Sequence, residues 1–117
     1  MARKAKAAAS VAGLFQGRWR IKSMALWDKA AIDLVEPAFI EVNGEQGEMR
    51  FIVVVAWLDI RYGLRDGEPV AEFSWEGEDE GDPRCGRGWL KPDKAGKLAG
   101  HIFFHQGDDS AFTCSPQ

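Results

Sequence analysis

Residues 50–62, RFIVVVAWLDIRY, constrain the fold more than any other part of the chain. The run is rich in β-branched and aromatic side chains, which suit a pleated, half-buried surface and lose rotamer freedom in a helix. It is too short to cross a membrane as a helix, and it reads as one long strand. Both of its parities are apolar: Phe51, Val53, Val55 and Trp57 on one face, Ile52, Val54, Ala56, Leu58 and Ile60 on the other. Only one of these faces can point into a small core. The other needs cover from the N-terminal arm, an early helical turn, or a second copy of the chain. Self-association through one face of residues 50–62 is therefore expected.

Around this run the chain breaks into roughly seven strands separated by short Gly and Asp turns. LFQGRWRI (14–21) opens them, with Trp19 and Ile21 on one face. Asp28 is placed to cap a short helical turn near residues 28–35, which Pro37 stops. AFIEV (38–42) closes at Asn43-Gly44, and Asp66-Gly67 is a strong hairpin signal. VAEFSWEG then alternates Ala71, Phe73 and Trp75 against Glu72, Ser74 and Glu76. RCGRGWLKP reads as a glycine-interrupted strand. KLAGHIFFHQ sets Leu98, Ile102 and Phe104 against His101, Phe103 and His105, and SAFTC is the last strand. No βαβ rhythm is present, so the expected class is all-β, an antiparallel meander. Closing such a sheet removes its edges. A small closed or nearly closed barrel is the expected architecture, with a two-sheet sandwich as the other arrangement.

The length of 117 residues fits one domain, and 45% hydrophobic residues supply its core. The division expected is a flexible basic tail over residues 1–12 and a single β domain over residues 13–115. The net charge of −3 is uneven: Arg3, Lys4, Lys6, Arg18, Arg20 and Lys22 give the first 22 residues +6, leaving −9 on the rest. An acidic body is repelled by phosphate backbones, so neither nucleic acid nor a membrane surface is an expected partner. AAASVAGLF is less apolar than a secretory signal requires, which makes a cytoplasmic location the default. Cys85 and Cys114 lack a CxxC spacing and are expected as free thiols unless strand pairing brings them together.

Two resemblances follow from these residues. Gly17-Arg18-Trp19 resembles the GxW opening of calycin-type barrels, which implies a tryptophan plugging one barrel end and a small apolar or amphipathic ligand within. GRWRI, LWD, DLVEPAFI, EFSWEGEDEGD, GRGW and IFFHQGDDSAF, between Gly17 and Phe112, resemble segments of an uncharacterised family of small bacterial proteins. That likeness supports the domain boundary and implies no activity.

Chemistry-bearing residues gather in the second half. His101 and His105 are four apart, a metal pair on a helix but about 13 Å apart on a strand, too far for one zinc ion. No metal and no cofactor is expected. Each histidine is instead placed to meet Glu72 or Glu76 across a hairpin. The acidic run Glu76–Asp82 lacks the spacing of a calcium loop and reads as a solvated turn. Trp19 and Trp57 are expected in the core, and Trp89, between glycines and a lysine turn, outside it. The candidate ligand-binding set is Glu72, Trp75, Trp89, His101 and His105, and the expected function is a non-enzymatic barrel that binds a small ligand or self-associates. The enzymatic alternative is a hydrolase in which His105, Asp109 and Ser110 meet at one corner, or a metal-dependent enzyme using both histidines.

Overall fold

The computed structural model describes residues 10–117. Eight strands follow one another around a closed barrel: β1 (Gly17–Met24), β2 (Phe39–Asn43), β3 (Gln46–Phe51), β4 (Val54–Arg65), β5 (Glu68–Asp79), β6 (Asp82–Pro92), β7 (Leu98–Phe104) and β8 (Asp109–Pro116). Each is antiparallel to the next, and β8 returns to β1 with a bulge between Ile21 and Ser23. The meander and its closure are as the hydrophobic pattern predicts. Asp66-Gly67 turns as expected, with φ of 53° and 80°, both in the left-handed region that a tight hairpin demands.

The eighth strand comes from the run that reads as one. Residues 50–62 are not continuous: the chain reverses at Ile52-Val53, and Phe51 pairs with Val54. A β-branched residue rarely takes positive φ, yet Ile52 has φ 55°. What holds it is α1 (Lys29–Ile32), whose Ile32 carbonyl accepts the Ile52 amide at 2.9 Å. The reversal changes the phase of the alternation, because residues paired across a hairpin point to the same face. Phe51 therefore joins Val54, Ala56, Leu58 and Ile60 inside. Trp57, expected in the core, is left outside at 55% exposure.

Three aromatic rings fill the interior by lying over glycines of the adjacent strand. Trp75 pairs with Gly86, Phe73 with Gly88, and Phe112 with Gly100. A Cβ on Gly88 would lie 2.5 Å from the His101 carbonyl oxygen and against the Phe73 ring; one on Gly100 would lie 2.5 Å from the Phe112 ring. The glycines that interrupt the strands in sequence thus make room for rings in space. At one end Val11, Phe15 and Trp19 are buried, and the Trp19 indole donates to the Phe15 carbonyl at 2.9 Å. At the other, Trp27 lies 5.6 Å from the Phe51 ring, and Phe104 meets Trp75 edge-on at 5.1 Å.

The expected tail over residues 1–12 falls largely outside the described residues. Residues 10–13 are helical and Val11 is buried, so the packed domain starts before residue 13. Among the described residues no helix is long and apolar enough to cross a membrane. Cys85 is exposed and Cys114 buried, and they form no bridge.

Helix α1 starts where its cap predicts, Asp28 Oδ1 accepting the Ala31 amide at 2.8 Å, but it ends at Ile32 and not at Val35. Asp33 then ties the chain down: its Oδ1 accepts the Ala38 amide at 2.8 Å, and the Lys29 ammonium lies 2.5 Å from Oδ2. The Ala38 amide first, then Lys29, hold this carboxyl below its ordinary value of 3.8. A carboxyl depressed by folding stabilises the native state above its unfolded pKa, and that contribution disappears as pH falls through the folded one. Urea midpoints measured between pH 5 and pH 2 should therefore fall more steeply for the wild type than for Asp33→Asn.

Candidate functional site

The outer wall from β4 to β8 gathers most of the candidate side chains. In register, Arg61, Glu72, Trp89, His101 and Ala111 form one row across five strands. The next row is Asp59, Ser74, Arg87, Phe103 and Asp109. Outward side chains in each row stand next to one another because every second residue of a strand shares a face. Three members of the expected ligand-binding set, Glu72, Trp89 and His101, are thus brought together.

The centre of this wall is a ladder of three rings. The Trp89 and His101 rings lie 6.1 Å apart at 25°, and those of His101 and Phe103 lie 4.5 Å apart at 29°. Lys91 sits 5.3 Å above Trp89 and Arg87 4.9 Å above Phe103, so a cation covers each end of the ladder. Asp109 Oδ2 lies 2.5 Å from His101 Nε2 and fixes the imidazole between its aromatic neighbours. His101 finds its carboxylate across the β7–β8 pair, on Asp109 and not on Glu72 or Glu76.

Two of the expected residues lie elsewhere. Trp75 points inward at 2% exposure, its indole donating to the Phe103 carbonyl at 3.1 Å, and it is a core ring. His105 lies beyond the end of β7, exposed in the turn, with its backbone amide donating to the Cys85 carbonyl at 2.7 Å. The His105, Asp109 and Ser110 constellation is not assembled. Asp109 and Ser110 are adjacent on β8, so they face opposite sides of the wall. Asp109 goes out to His101, and Ser110 goes in at 2% exposure. The Ser110 hydroxyl accepts the Leu26 amide at 3.1 Å and donates to the Ala111 carbonyl at 2.9 Å, a structural role that uses its proton. Among the described residues no group of three His, Cys, Asp or Glu side chains is arranged to hold a metal ion.

The acidic run also differs from its reading as a turn. β5 continues to Asp79, so Glu76 and Glu78 are outward strand residues and the turn is Glu80-Gly81 alone. Glu76 stands beside Trp57, with Glu48 on the other side of the indole. Val55, two residues along β4, extends the apolar surface outward from Trp57.

Arg87 and Phe103 were not among the expected site residues. Their parity could have found them: Arg87, Trp89 and Lys91 alternate in GRGWLKP, as His101 and Phe103 do in HIFF. The strand register that sets the two series side by side cannot be read from spacing alone. Comparisons with family models, with curated proteins and with solved structures gave no match for the chain.

Proposed function

We propose that this protein is a non-enzymatic interaction module whose barrel is a filled scaffold, and that two copies associate through the outer face of β4 centred on Trp57. The observation that carries this reading is an indole 55% exposed in the middle of a strand, next to Val55, on a barrel whose inward rings already occupy its core. A binding barrel of the calycin kind needs space inside. Here that space holds Phe73, Trp75 and Phe112.

Both signs of charge flank the ring, Glu48 and Glu76 beside it and Arg50 and Arg61 one or two rows away. A self-complementary patch needs this mixture, since a two-fold axis brings a surface against itself. Covering the exposed part of one indole removes roughly 130 Å² from water, about 3 kcal/mol per copy at 25 cal/mol/Å².

Sedimentation velocity over a concentration series tests the reading. The wild type should show a reversible monomer–dimer equilibrium. Trp57→Ser should weaken it by at least about a hundredfold while leaving the unfolding midpoint near that of the wild type at concentrations where the wild type is monomeric, because the ring is outside the core. A wild type that stays monomeric to several hundred micromolar, or a dimer indifferent to the substitution, refutes it.

A further inference from the structure

Next to the ring ladder, on the side facing β4, the outer wall has a groove of about 470 Å³. Its floor is low where the small Ser74 lies between larger neighbours, with Trp89 and Phe103 as its apolar sides. Its volume falls in the range of small-molecule sites, roughly 300–1,000 Å³.

Not every guanidinium around it has a carboxylate partner. Three guanidinium groups, Arg61, Arg65 and Arg87, face two carboxylates, Asp59 and Glu72. Arg61 is shared between Asp59 at 2.7 Å and Glu45 at 3.0 Å, and Arg65 pairs with Glu72. Among the described residues Arg87 has no carboxylate within ion-pair distance; it rests over the Phe103 ring instead. A guanidinium laid on an aromatic face keeps its outward N–H groups free, and their fork matches a carboxylate.

We propose that this groove binds a small planar carboxylate, its anionic group held by Arg87 and the Ser74 hydroxyl and its flat body laid along the part of the Trp89 indole that borders the groove, clear of His101 and Lys91. The charge selects an anion, and the aromatic sides select a planar body over a bare oxyanion. The site spans β4–β7 and shares Arg61 with the rim of the Trp57 patch, but it needs only one copy of the chain and does not rest on self-association.

Titration of the ¹⁵N-labelled full chain by NMR separates the two requirements. Indole-3-carboxylate serves as the probe, indole-3-carboxamide supplies the ring without the charge, and inorganic phosphate supplies charge without the ring. The carboxylate should give saturable shifts at the Trp89 side-chain N–H and the Ser74 and Gly88 amides. The other two probes should bind at least about tenfold more weakly. Arg87→Gln should cost at least about tenfold, whereas Arg84→Gln, whose side chain lies near Asp82 and outside the groove, should leave the titration unchanged. Repeating the series in Trp57→Ser keeps this result apart from the dimer, and the affinity should not change. No saturation by about 10 mM, equal binding of either control probe, or indifference to Arg87→Gln each overturns the proposal.

Discussion

Replacing Gly88 by alanine is expected to destabilise the protein by about 3 kcal/mol, the upper end for adding one methyl to a packed core. The new methyl would lie 2.5 Å from the His101 carbonyl oxygen and against the Phe73 ring. The ring has somewhere to move only by displacing other core side chains, and the carbonyl belongs to a paired strand of a closed sheet. Both escapes cost energy, since interiors pack at crystal-like density. At roughly 4 °C per kcal/mol for a domain of this size, the melting temperature should fall by about 12 °C. Adding Phe73→Leu should recover only part of the loss, because the carbonyl clash remains, and a double-mutant cycle measures the part due to the ring. Gly13→Ala is the control: it adds the same methyl with no atom within 4 Å, so the midpoint should stay or rise slightly. An unchanged midpoint for Gly88→Ala would mean that the rings do not fill the barrel as described.

The same glycines show how far the sequence could be read. Alternation in VAEFSWEG puts Ala71, Phe73 and Trp75 on one face, and the structure turns that face inward, Trp75 included. That the glycines of GRG stand opposite those rings depends on the β5–β6 register, which follows from the Glu80-Gly81 turn and not from the strands themselves. The Ile52-Val53 reversal was illegible for a different reason. Nothing in IVVV resembles a turn, and the left-handed Ile52 is held by a helix that precedes it by twenty residues. Without that turn the alternation puts Trp57 inside, whereas the reversal leaves its indole exposed on β4. At the site, Trp89 outside the core and a carboxylate partner for a histidine were both legible. Which carboxylate, and which histidine, depended on where β7 ends and how β8 pairs with it.

The two cysteines should differ in reactivity by several orders of magnitude. Cys114 is 1% exposed on the inner face of β8, among Ile21, Leu98 and the other core side chains. Burial pushes its thiol up to about 12, because a thiolate cannot be solvated there. The attacking species in disulfide exchange is the thiolate, so at pH 8 only about one molecule in ten thousand carries it at Cys114, before any hindrance to reagent entry is counted. Cys85 stands outward on β6, exposed beside Glu76. An aromatic disulfide reagent added to native protein should therefore release one equivalent of thiolate quickly and the second only through the small population in which the barrel is open. Cys85→Ser should remove the fast phase alone, and Gly88→Ala should accelerate the slow one in proportion to the stability it loses, as expected when reaction proceeds through global opening. Two fast equivalents from the native wild type would place Cys114 within reach of solvent and break the closed wall between β1, β7 and β8 on which its burial depends.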